Sequence, residues 1–148
     1  MKIAITSVYA NPLHPGHIDC FELSKALADE LWVIVNNDVQ AKLKRGTDSF
    51  QDEAFRMRIV GALKPVDRVI LSIDTDRTVC ATLEHILIEI KTRPEITEVI
   101  FTKGGDRFAN EIPEATILAE YGVPIIDGLG EKTHNSSAFV PQTTAAQS

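Results

Sequence analysis

Five short apolar runs, rich in Val and Ile, recur along this 148-residue chain, with stretches of helical pattern between them. They are Ile3 to Ser7, Leu31 to Val35, Val69 to Ile73, Val99 to Phe101 and Val123 to Ile126. Short continuous apolar runs without polar alternation read as strands covered on both faces, the pattern of a parallel sheet. Ile18 to Ala28 directs Ile18, Phe21 and Leu23 or Leu27 toward a core, and Asp52 to Leu63 presents Phe55, Ile59 and Leu63 on one face. Thr78 to Ile90 spaces Leu83, Ile86, Leu87 and Ile90 helically, and Pro113 opens a short fourth helix that Gly122 closes. Alternating strands and helices with right-handed crossovers predict an α/β fold: a single Rossmann-like, doubly wound sheet of five parallel strands with helices on both faces.

Such a sheet binds ligands beyond the carboxyl ends of its strands. The unusual polar segments fall there. His14 to His17 follows the first strand, Asn36 to Asp38 the second, Asp74 to Arg77 the third, Lys103 to Arg107 the fourth and Gly128 to Ser137 the fifth. The first loop has neither the G-x-G-x-x-G of a dinucleotide site nor a G-x-x-x-x-G-K-[ST] phosphate loop. It carries His14-Pro15-Gly16-His17 instead. Pro15 suits the first turn of a helix, which makes His14 its cap and puts His17 three positions on, on the same face. Gly16 would let a ligand approach the backbone closely. Two imidazoles and the free N–H groups of a helix start would then converge on one point, a place for a phosphate whose developing charge they can stabilise. The spacing also permits a metal site, but no Cys or Glu completes a ligand set nearby in sequence.

The rest of the chain narrows the class. One domain is expected over residues 1–140, with a disordered tail of small polar residues over 141–148. No run is long and apolar enough for a membrane span, and the N-terminus leads directly into a strand pattern. Cys20 and Cys80 lie far apart without disulfide or metal spacing, which fits a cytoplasmic protein. A net charge of −6 argues against a nucleic-acid binder. Within that acidic chain Lys42, Lys44 and Arg45 form a local basic cluster suited to one small anion.

On these residues the chain resembles the small cytidylyltransferase-like nucleotidyltransferases, from Ile3 to about Phe139. The H-x-G-H at His14 to His17 carries most of the resemblance. Asn37-Asp38, Arg56, Lys64-Pro65-Val66-Asp67, Gly104-Gly105-Asp106 and the serines Ser136 and Ser137 add to it. Where the family commonly has R-T-x-G-I-S-T/S-T, this chain has Lys132 near the arginine position and His134-Asn135 for Gly-Ile.

The resemblance implies that a CMP or AMP unit passes from CTP or ATP to a small phosphorylated acceptor, with pyrophosphate released and Mg²⁺ carried by the triphosphate. It implies catalytic roles for His14, His17, Lys42 and Ser136. Nucleotide contacts would come from Ser7, Val8, Tyr9, Asn11, Gly16, His17, Gly105, Asp106, Lys132, Ser136 and Ser137, and acceptor contacts from Asp38, Lys42, Lys44, Arg56, Lys64 and Asp67. Plainer roles stand beside these: a solvated basic turn for Lys42 and Lys44, a surface ion pair of Arg56 with Asp52 or Glu53, and capping or turn roles for Lys64 and Asp67. Cytidylyl transfer is marginally preferred. Adenylyl transfer to phosphopantetheine, FMN, a nicotinamide nucleotide or a sugar phosphate is the alternative, and an inactive nucleotide-binding regulatory module is the alternative of another class. Relatives of this kind are often homodimers.

Overall fold

A computed structural model describes residues 1–47, 51–104 and 112–129 of the chain. Its elements run β1 (Lys2–Val8), α1 (Pro15–Ala26), β2 (Glu30–Val35), α2 (Asp38–Arg45), α3 (Glu53–Gly61), β3 (Arg68–Leu71), α4 (Cys80–Lys91), β4 (Glu98–Thr102), α5 (Ala115–Glu120) and β5 (Ile125–Ile126). The five strands form one sheet in the order β3-β2-β1-β4-β5, and every pairing is parallel. The central strand β1 places Ile5 between Trp32 of β2 and Phe101 of β4. The strand order reverses between β1 and β4, which is where such a sheet opens its ligand crevice.

Two buried clusters cover the two faces. On one, Ile3, Ile5, Trp32 and Ile34 pack with Leu83, Ile86, Leu87 and Ile90 of α4 and Leu118 of α5. On the other, Ala4, Leu31, Val33 and Val35 pack with Phe21 of α1 and Val60 of α3. The strands are therefore covered on both sides, as their unbroken apolar runs required.

Two helices present faces different from those expected. On α1 the buried side chains are Cys20, Phe21 and Ser24, while Leu23 and Leu27 are exposed at 38% and 41%. Ser24 is admitted because its hydroxyl is satisfied by Cys20 O and by the Thr102 hydroxyl of β4, both at 2.7 Å. On α3, Phe55 is turned to solvent and the inward positions belong to Arg56 and Val60. A helix over 38–45, where a basic turn stood as an alternative, is also present. Asn37 caps it, with its side chain accepting from Gln40 N while Gln40 Oε1 accepts from Asn37 N. Gly46 ends it at φ 80°, a left-handed conformation that glycine adopts without strain.

Among the described residues, no helix is long and apolar enough to cross a membrane. Both cysteines are free thiols.

Candidate active site

The chain leaves β1 through a strained loop. Ala10 is 2% exposed and adopts φ 55°, a left-handed conformation that costs a non-glycine residue on the order of 1–3 kcal/mol and collects at functional sites. Beside it the Asn11 side chain has both its amide nitrogen and its oxygen buried without a hydrogen-bond partner among the described residues. A buried, unmet amide costs roughly 1–3 kcal/mol, which a ligand's polar groups would relieve.

His14 then caps α1 with extended backbone, and Pro15 occupies the first helical position. Gly16 N donates to His14 Nδ1, and His14 N donates to His17 Nδ1, each at 3.1 Å. The two rings stack with centroids 3.7 Å apart. Each Nδ1 accepts from a backbone N–H, so a neutral ring must carry its proton on Nε2. The site thus holds two imidazole donors in one tautomer. Burial, the neighbouring His14 and then Lys44 hold His17 down at about 3, so its ring is neutral at physiological pH.

The expected free N–H groups at this helix start are not free. Pro15 has none, Gly16 N is spent on His14, and His17 N and Ile18 N both donate to His14 O. The rings' own N–H groups stand at Nε2. Gly16 has a second purpose: a Cβ there would lie 3.0 Å from His14 Cε1, so glycine is what lets the His14 ring fold back over the helix start.

The basic cluster enters from α2. Lys42, Lys44 and Arg45 fill its last turn, where cations complement the negative end of the helix dipole. Lys44 Nζ lies 4.3 Å from the centre of the Tyr9 ring, and Arg45 donates to Asn11 O at 3.0 Å. Partial burial of the Lys44 ammonium, then the charges of Arg77 and Arg45, lower its pKa. Lys44 also acts on His17 through its charge. The loop after β1 and the end of α2 therefore form one cationic corner around the histidine pair.

Arg56 corrects both expectations for it. It is 0% exposed, so it neither touches an acceptor nor sits in a surface ion pair with Asp52 or Glu53. Its Nε donates to Gln51 O at 2.9 Å and its Nη1 to Tyr9 O and Asn36 O, both at 2.7 Å. Its Nη2 donates to Asp38 Oδ1 at 2.9 Å. One guanidinium thus ties together the loops after β1 and β2, and burying it is tolerable because its donors are met. Asp38 is 43% exposed on its side chain, but its carboxylate is engaged by Arg56.

Lys64 and Asp67 are also corrected. They lie at the amino end of β3, away from the strand ends that carry the histidines. Asp67 Oδ2 accepts from Lys25 Nζ at 2.7 Å and from Leu31 N at 2.9 Å, pinning α1 and β2 to the start of β3. Of the remaining expected residues, Ser7 and Val8 end β1, and Val8 O accepts from Asn36 N. Lys42 sits exposed on α2. Gly105, Asp106, Lys132, His134, Ser136 and Ser137, and the expected tail over 141–148, lie outside the described residues.

The structure adds residues that the sequence did not single out. Arg77, in the loop after β3, acts on the Tyr9 hydroxyl and on Lys44. Gln40 is fully buried, and its Nε2 donates to Asp76 O and Thr78 O at 2.7 Å each, holding the backbone on either side of Arg77. The polar cluster after each strand was the available signal, but nothing local separated Arg77 from other surface arginines. An open groove of about 500 Å³ lies between Ile90, Glu98, Tyr121 and Pro124, at the amino ends of β4 and β5. It gathers no comparable convergence of polar groups and is at the wrong end of the sheet for this fold's ligands.

Comparison with known proteins agrees with this geometry. The model of the cytidylyltransferase-like family matches residues 9–122. The chain is 34% identical over 123 residues to an FAD synthase of Thermoplasma acidophilum, covering 83% of this chain and 77% of that protein. It is 28% identical over 127 residues to the bifunctional protein HldE of Azorhizobium caulinodans, covering 85% of this chain but only 24% of HldE. The chain therefore spans about a quarter of that relative's length. A lipopolysaccharide core biosynthesis protein from Thermoplasma volcanium superposes with a TM-score of 0.57 at 30% identity, over 86% of this chain and 94% of that one. With a matching model over most of its length, an FAD synthase relative at a third identity, and a histidine pair at the carboxyl end of β1, this chain belongs to the cytidylyltransferase-like nucleotidyltransferases.

Proposed function

We propose that the chain transfers CMP or AMP from its triphosphate to a small phosphorylated alcohol and releases pyrophosphate. The observation that supports this best is the stacked His14–His17 pair, each Nδ1 accepting a backbone N–H so that each neutral ring carries its own N–H at Nε2. An oxygen of the acceptor's phosphate would attack the α-phosphorus as the bond to the β-phosphate oxygen breaks, and pyrophosphate would carry away the electron pair. A phosphate is already a nucleophile, so no general base is needed. The chain's part is to hold the reacting groups in line and to donate to the α-phosphate oxygens as their charge grows. Neutral imidazoles suit that role, since they donate without having to give up a proton.

Mg²⁺ would arrive with the triphosphate. Among the described residues no three His, Cys, Asp or Glu side chains converge to hold a metal, and Mg²⁺ commonly takes phosphate oxygens and water as ligands. Lys42, Lys44, Lys132, Ser136 and Ser137 would meet phosphates, with Asn11, Gly105 and Asp106 toward the nucleoside. Adenylyl transfer is the second form of the proposal. The similarity to an FAD synthase over most of that protein's length favours it and makes FMN an acceptor to test. A homodimer belongs to the same proposal and is read by sedimentation equilibrium.

The test is pyrophosphate release with CTP, ATP, UTP and GTP against a panel of phosphorylated acceptors including FMN, for wild type and His17→Ala. One triphosphate–acceptor pair should turn over, and the substitution should lower its rate by roughly a hundredfold or more, the loss seen when a transition-state donor is removed. Folded wild type that releases none with any pair would instead point to a binding module. Unchanged turnover in His17→Ala would refute the histidine mechanism.

A further inference from the structure

Helix α2 has little apolar surface to hold it in place. Its buried side chains are Gln40 and Ala41, while Val39 and Leu43 face solvent. Helices in a domain are usually fixed by an apolar face against the core, so the orientation of this one falls to its polar contacts. Gln40 supplies four of them. From the third position of α2 its Oε1 accepts from Asn37 N and from Asn36 Nδ2, each at 3.1 Å. The bond from Asn37 N belongs to a capping box. The other half of the amide is not local. Its Nε2 donates to Asp76 O and Thr78 O at 2.7 Å each, 36 and 38 residues further along the chain. Only an NH₂ can face two carbonyls and only an oxygen can face a backbone N–H, so these partners dictate which way the amide lies. With its bonds made, the side chain is fully buried. Asn37 braces the same joint, its Nδ2 donating to Ser72 O and Asp74 O at 2.9 Å each. Lys44 stands one helical turn beyond Gln40, on the same face, with its Nζ 4.3 Å from the centre of the Tyr9 ring. A clamp on Gln40 therefore fixes the angle at which Lys44 meets the loop after β1.

We propose that Gln40 is a positioning residue for the transfer reaction: by gripping the turn after β3 it sets the rotation of α2, and with it the place of Lys44 beside the histidine pair. A capping role alone would use the acceptor half of the amide and leave Nε2 to water. Gln40 instead spends both donors on the loop of another strand. The kinetic consequence rests on the nucleotidyl-transfer reading, in which Lys44 meets a phosphate; the clamp itself does not.

The test compares the full chain as wild type, Gln40→Glu and Gln40→Met. Glutamate keeps the length, the acceptor for Asn37 N and the capping box, which takes Glu as readily as Gln, but sets a carboxylate oxygen against Asp76 O and Thr78 O. Methionine removes both halves at similar volume, and the freed carbonyls lie in a turn whose residues are exposed or half-exposed, where water can meet them. Urea unfolding checks that each variant is folded. The turn is read by tryptic cleavage after the exposed Arg77, located by mass spectrometry, and Lys44 by the ring-current shift of its ε-methylene protons over Tyr9. Both variants should be cut there roughly tenfold faster or more, as a loosened turn opens more often, and should lose that shift. Where turnover is found, KM for one substrate should rise roughly tenfold with kcat changed less, the pattern of a lost binding contact. Wild-type cleavage and shift in Gln40→Glu would reduce the residue to a helix cap and overturn the inference. Altered cleavage and shift with unchanged kinetics would overturn the positioning role as fully. A wild type that turns over no pair is a failure of the transfer reading. Calorimetric affinity for CTP and ATP then replaces KM, and equal affinities in all three proteins, or no binding by wild type, overturn the role of Gln40.

Discussion

Acidification should destabilise this protein through His17, by an amount the structure allows to be worked out. In the unfolded chain the imidazole takes a proton near pH 6.5. In the fold, burial first, then His14 and Lys44, hold it at about 3. Protonation would also place an N–H at Nδ1 against the N–H of His14 that now donates to it. Above pH 6.5 both states are neutral and the group contributes no pH dependence. Between 6.5 and 3 the unfolded state binds the proton and the folded state does not, so stability falls as pH falls. Each unit costs about 1.4 kcal/mol, which makes the loss from pH 7 to pH 5 about 2 kcal/mol. Urea unfolding at both pH values would measure it, with His17→Asn as the reference, because asparagine keeps an acceptor for His14 N but does not titrate. Carboxylates common to both proteins cancel in the difference. Wild type should lose about 2 kcal/mol more than the variant over that interval. Equal losses, or a His17 ring resonance titrating near pH 6 in the folded protein, would refute both the depressed pKa and the claim that this ring donates as a neutral imidazole.

Two further outcomes follow from the packing. Arg56→Lys keeps a charge but cannot reach Gln51 O, Tyr9 O, Asn36 O and Asp38 together; it should cost about 3 kcal/mol in urea unfolding and lower turnover through the displaced loops. Gly16→Ala should leave stability within about 1 kcal/mol, since alanine favours a helix. Its Cβ, 3.0 Å from His14 Cε1, should turn the His14 ring and reduce pyrophosphate release at least tenfold, with a shifted His14 ring resonance as the direct check.

Local chemistry was legible in the sequence where one segment contains its own explanation. Five apolar runs dictate a doubly wound sheet because each strand must be buried on both faces, and His14-Pro15-Gly16-His17 encodes its own cap, first turn and ring geometry within four residues. The helix over 38–45 was equally local in its signals, with Asn37 and Gln40 three apart and Gly46 beyond the end. It was hidden because its Val39 and Leu43 face solvent at 57% and 52%, so no apolar stripe marks it. Arg56 and Arg58 show where such reasoning stops. They lie two apart on one helix and carry the same charge, yet one is fully buried and the other exposed. The difference is made by Tyr9, Asn36, Asp38 and Gln51, which reach the Arg56 site from other parts of the chain. Arg77 is a case of the same kind. Its sequence neighbours describe a polar turn, and only Gln40, arriving from α2 to hold Asp76 O and Thr78 O, turns a surface arginine into a fixed one. The cationic corner assembled from the loop after β1 and the end of α2, with its clamps to the loops after β2 and β3, is therefore a property of the tertiary fold and not of any one segment.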